Sequence, residues 1–162
     1  MFDTINGLPI HPLVVHAVVV MLPLAILGTL AISAVPRWRL RYGPLVVGAA
    51  LVATVLVPVA TSSGEELEKR VGDPGEHAEL GDQLIWFAIP LLVLAAALVW
   101  VEWRAHRTPA DAQDASTVPR AVVNGVVALA VVASLAAGVQ VFRVGDSGAR
   151  AAWGGTTSEA GR

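Results

Sequence analysis

The chain has 162 residues, of which 55% are hydrophobic and 15% charged, with mean hydropathy +0.65 and a formal net charge of −2. Soluble domains carry about 25% charged residues, so a water-surrounded globule is excluded, and with no basic patch so is tracking of a nucleic-acid backbone. The absence of cysteine removes disulfides, thiolate metal sites and cysteine-ligated iron–sulfur clusters.

The apolar residues fall into four charge-free runs, 4–36, 42–64, 83–101 and 121–142. Each is about as long as the ~20 residues an α-helix needs to cross ~30 Å of hydrocarbon. Lipid offers the backbone no hydrogen-bond partners, so such runs must be helices. The composition therefore predicts an all-α polytopic membrane protein, a four-helix up-down bundle.

The first helix is expected at about residues 12–35, opening on Pro12, because proline suits the first helical position. No Lys or Arg precedes it, so it is read as a retained helix and not a cleaved signal. The short hairpin "PRWRLRYGP" follows, with Arg37, Arg39 and Arg41 and no acid. Helix two is expected at about 44–62, extending as an amphipathic stub through "GEELEKRV". Asp73 and Glu76 then form a capping box with Pro74 at the first helical position, opening helix three at about 74–104. A polar, proline-bounded loop leads to helix four at about 120–142. Residues 1–155 thus form one membrane domain, and 156–162 a mobile tail. No internal repeat, catalytic serine motif, phosphate-binding glycine loop or metalloprotease helix is evident, which argues against an enzyme using protein-based nucleophilic chemistry.

Four crossings place both termini on one face. The three hairpin arginines assign the opposite face to the cytoplasm by the positive-inside rule, leaving both termini outside. The single lysine against ten arginines, with abundant Ala, Val and Gly, suggests a GC-rich bacterial genome and hence a bacterial inner membrane.

This topology gathers polar residues at the outer end: His11 and His16 from helix one, Glu65 and Glu66 from helix two, His77 from helix three, and Gln140, Arg143 and Asp146 from helix four. Polar groups near lipid normally face the bundle interior and mark functional paths. His11 and His16 lie about 140° apart around an ideal helix. With Pro12 holding His11 outside the helix, His16 is expected to point inward and His11 to sit at the rim. Three readings fit. His16 and His77 ligate a haem b, with Arg143 partnering a propionate. Alternatively His11, His16, His77, Glu65 and Asp146 supply ligands for a divalent metal, or the cluster binds a quinone or carries protons. The bland alternative is that the histidines only cap helix ends and pair with Glu76 or Asp82. A rival function is a non-catalytic membrane subunit whose polar outer end docks a redox or other membrane-protein partner.

"GLPIHPLVVH" with "MLPLA", "GE" after helix two, His77 to Asp82, and the closing "RVGDSGARAAWGG" resemble the bacterial membrane-protein family of domain of unknown function 2231, over about residues 6–155. The resemblance implies a four-helix integral membrane protein without an established activity. Some relatives are joined to Rieske-type iron–sulfur domains, a hint of redox work. The family's polar positions correspond to His11, His16, His77, Arg143 and Gly145. Many members carry histidine where this chain has Asp146, a departure that disfavours a four-histidine, two-haem arrangement.

Overall fold

The computed structural model describes residues 4–5, 8–72, 75–107 and 118–153. A two-residue antiparallel pairing of Thr4–Ile5 with Leu8–Pro9 precedes the first helix. The helices are α1 (Ile10–Ala34), α2 (Arg39–Val71), α3 (Glu76–Gln83), α4 (Ile85–Arg107) and α5 (Arg120–Trp153), with a 3-10 turn at Pro36–Trp38. Because α3 and α4 act as one crossing, there are four membrane spans, His11–Ala34, Pro36–Lys69, Glu76–Arg107 and Arg120–Ala151. The protein is an all-α, four-spanning membrane bundle.

Helix ends differ from those expected. α1 begins at Ile10, ahead of Pro12, because no first-turn N–H has an intrahelical partner and proline costs nothing there. α2 starts at Arg39 and runs unbroken to Val71, where Gly72 (φ 96°) turns the chain out of the helix. α5 runs past Phe142 to Trp153. Gly75 occupies the N-cap of α3 without a side-chain cap. The Asp73 capping box and the tail beyond Trp153 lie outside the described residues. The third crossing is broken at Leu84, whose N–H bonds Gly81 O at 3.0 Å, one residue short of the α-helical reach.

The helices form a closed ring, α1 beside α2, α2 beside α4, α4 beside α5, and α5 beside α1. Each turns a heptad-spaced row inward: Val18, Leu22, Ala25, Thr29 and Ile32 on α1; Val46, Ala50, Ala53, Val57 and Ala60 on α2; Leu84, Ala88, Leu91, Ala95 and Leu98 on the third crossing; Ala130, Ser134 and Ala137 on α5. Alternating steps of four and three suit the shallow crossings of an up-down bundle, and the many small residues let backbones approach closely. The outer faces carry Leu27, Leu45, Val139 and Phe142, all more than 60% exposed. In water that surface would be an aggregation liability; in a bilayer it is the lipid contact.

The inward rows also reveal a repeat. Counted from His11, the residues Val18, Leu22, Ala25, Thr29 and Ile32 fall at the spacings that Leu84, Ala88, Leu91, Ala95 and Leu98 have from His77. Val46, Ala50, Ala53, Ala60, Ser63 and Gly64 on α2 likewise correspond to Ala130, Ser134, Ala137, Val144, Ser147 and Gly148 on α5. The bundle is two helical hairpins of common design, α1–α2 and α3/α4–α5. Of these pairs only His11/His77, Ala53/Ala137, Ser63/Ser147 and Gly64/Gly148 are identical, which hides the repeat in the sequence.

Candidate functional site: two histidine clamps

The start of each hairpin's first helix lies beside the end of its second, and a histidine joins them. On α1, His11 places Nδ1 3.0 Å from Ala60 O and 3.2 Å from Ser63 Oγ. On α3, His77 places Nδ1 3.1 Å from Val144 O and 3.3 Å from Ser147 Oγ. Both rings are half-buried, and each serine hydroxyl donates to the same carbonyl, Ser63 to Ala60 O and Ser147 to Val144 O, at 3.0 Å. The next residue is glycine in both cases, and the ring fills the space its side chain would need. A Cβ at Gly64 would meet His11 Cε1 at 3.1 Å, and one at Gly148 would meet His77 Cε1 at 2.9 Å.

A carbonyl oxygen can only accept, so Nδ1 carries the proton in both rings, and in the neutral imidazole Nε2 carries the lone pair. The second clamp has a further bolt. Breaking the crossing at Leu84 frees the carbonyl an α-helix would use one residue earlier, and buried Gln140 donates Nε2–H to that Leu80 O at 2.9 Å.

The expected placement of the first two histidines is reversed. With α1 opening at Ile10, His11 heads the inward face that continues through Val18 and Leu22, and His16 falls on the outer face with Leu13 and Val20. His16 is exposed and donates Nδ1–H to Pro12 O in its own helix, as exposed His106 does to Glu102 O. Glu65 and Glu66 are exposed, with Glu66 paired to Lys69. Asp146 pairs with Arg150 one turn on, and Arg143 reaches back to Gln140 Oε1 at 3.5 Å. Among the described residues no three His, Asp or Glu side chains gather closely enough to hold a metal ion. His11, His77, Glu65, Arg143 and Asp146 do share one end of the bundle, but as two separate clamps and a charged fringe. Sequence reading missed Ser63, Gly64, Ser147 and Gly148; the signal was the Ser-Gly pair inside the last turns of the second helix of each hairpin, near the histidine end.

The sequence matches the family described as "Predicted membrane protein (DUF2231)" over residues 7–160. The chain belongs to that family. No curated protein and no solved structure matches it. In this DUF2231 protein the histidines of the opening "IHPLVVH" divide between two roles, one locking a hairpin and one facing outward from the bundle.

Proposed function

We propose that the protein is a non-catalytic subunit of a bacterial inner membrane, both termini outside, that docks a membrane-protein partner through its histidine end. The observation that carries this is the overrun of two helices. Beyond their charge-free runs, α2 continues from Glu65 to Val71 and α5 from Arg143 to Trp153, about 10 and 16 Å of helix. These extensions bear Glu65, Glu66, Lys69, Arg143 and Arg150, all exposed. The clamps stiffen their bases, and a stiff charged platform above a bilayer recognises a partner at little ordering cost.

A second reading rests on the forced Nδ1–H tautomer. It leaves Nε2 of His11 and His77 as lone-pair donors, the form an imidazole takes as a ligand of haem b or a divalent metal, with a carbonyl as its orienting partner. Arg143, Glu65 and Asp146, at the same end of the bundle, are the further candidates for that site, whereas His16 faces away from it.

Two measurements separate the readings. A photo-crosslinking residue replacing Glu66 or Arg150 in intact membranes should give a discrete protein adduct that a lipid-facing replacement of Val139 does not. Lipid adducts alone at all three positions would remove the docking reading. The cofactor reading expects a Soret band or stoichiometric metal in the purified protein, lost in His11→Ala and His77→Ala. A colourless, metal-free preparation after haem-supplemented expression would eliminate it.

A further inference from the structure

The arginine end of the bundle carries a groove of about 430 Å³ between α2 and α4, lined by Pro44, Val47, Ala96, Val99, Trp100 and Trp103. Beside it the two helices touch, since a Cβ at Gly43 would collide with Val99. The repeat supplies an internal comparison, because the α1–α5 seam is the counterpart of the α2–α4 seam. There Leu30 and Ala34 hold the places of Ala96 and Trp100. The α2–α4 seam has therefore exchanged a large floor for a small one and a small wall for a tall one.

We infer that this groove holds one acyl chain of an anionic phospholipid, with the phosphate at the cationic rim. Ala96 lies about 10 Å inward of Trp103 along the helix, within the ~15 Å depth of one leaflet's hydrocarbon. The rim lies at the interfacial level marked by Trp38, Tyr42, Trp100 and Trp103. Arg41 stands one turn before Pro44 with its guanidinium 5.4 Å from the Tyr42 ring, and Arg107 stands one turn past Trp103 at 4.1 Å from that ring. Arg104 lies 5.2 Å from the Trp100 ring. Among the described residues the only acid at this end is Glu102, already paired with Arg39. An apolar slot under the Arg41 and Arg107 guanidiniums selects a ligand with one long apolar chain and a negative head.

Detergent-purified protein is titrated with dioleoyl phosphatidylglycerol or dioleoyl phosphatidylcholine, bound lipids are counted by native mass spectrometry, and brominated chains report proximity by quenching tryptophan fluorescence. One phosphatidylglycerol should bind at least ten-fold more tightly than phosphatidylcholine. Ala96→Leu, which installs the residue found at the matching place of α1, should weaken it at least ten-fold. The exposed double variant Arg41→Gln/Arg107→Gln should erase the preference between the two lipids, and it keeps the test decisive if Ala96→Leu loses its helical circular dichroism. Equal affinity for both lipids overturns the inference. So do wild-type binding in Ala96→Leu, displacement of the lipid by glycerol phosphate alone, and a lipid-free dimer closed across this face.

Discussion

Gly148 carries a specific load: its missing side chain is the floor on which the His77 ring lies, with Cε1 and Nδ1 at 2.9 and 3.1 Å from where a Cβ would stand. Gly64 supports His11 with slightly more room, at 3.1 and 3.4 Å, and Gly145 on the same helix as Gly148 has nothing within 4 Å. Alanine gains about 1 kcal/mol over glycine in a helix from backbone entropy, so the three sites should sort by contact. Gly145→Ala should stabilise by up to about 1 kcal/mol, Gly64→Ala should come out near zero, and Gly148→Ala should lose about 1–2 kcal/mol to overpacking. SDS titration of the purified protein in mixed micelles reads all three. Removing the ring should rescue the clash, so His77→Ala/Gly148→Ala should be more stable than the single effects sum to. Equal responses at Gly148 and Gly145 would show that the ring is not seated there. At this scale the sequence disclosed which residue types mattered but not their directions. His11 and His16 are separated by a helix phase that depends on where α1 starts, and a proline in the first turn does not set that start.

Between elements, Arg39 joins three helices at the opposite end. It is 5% exposed, donates Nε–H to Ile32 O at 2.9 Å and an Nη2 proton to Ser33 O at 3.3 Å, and pairs through Nη1 with Glu102 Oε2 at 3.3 Å. Ile32 and Ser33 are in the last turn of α1, whose carbonyls have no intrahelical donors, so the side chain of α2's first residue caps α1 while α4 neutralises it. Breaking a buried ion pair strands a charge at a cost of about 3–5 kcal/mol. Glu102 is 22% exposed, which lets water in and lowers the expected loss for Glu102→Gln to about 2 kcal/mol. Arg39→Lys should cost as much or more, because an ammonium cannot span two carbonyls and a carboxylate with a planar fork. Denaturant titrations of both variants and of Arg37→Gln, an exposed neighbour expected to change stability by less than about 0.5 kcal/mol, would check this. Hydropathy located all four crossings because lipid leaves the backbone no other choice. It counted Arg39 with Arg37 and Arg41, since charge totals carry no direction. The charged overruns of α2 and α5 escaped it too, because helices continue in water wherever neighbours hold them.

Across the whole molecule, the repeat and the parity of four crossings make one statement about sidedness. Each hairpin begins and ends at the histidine end, so the α2 and α5 overruns must share a face, and Arg41 and Arg104 must share the other. The cysteine-free sequence makes single-cysteine labelling clean. Glu66→Cys and Arg150→Cys should react with a membrane-impermeant maleimide in intact cells, and Arg41→Cys and Arg104→Cys only after permeabilisation. These four positions are exposed, and a cysteine at any of them removes no buried contact. The opposite pattern would invert the bundle while leaving both clamps and the lipid groove where they are, because neither depends on which way the protein points. A split between Glu66 and Arg150 is the outcome that the fold cannot accommodate. It would require an odd number of crossings between α2 and α5, whereas the two that separate them are joined through His77, Gln140 and Leu80 to the very helix end that Arg150 occupies. The clamps therefore tie the ends of α2 and α5 to one face of the membrane, and that shared sidedness is what the labelling pattern tests.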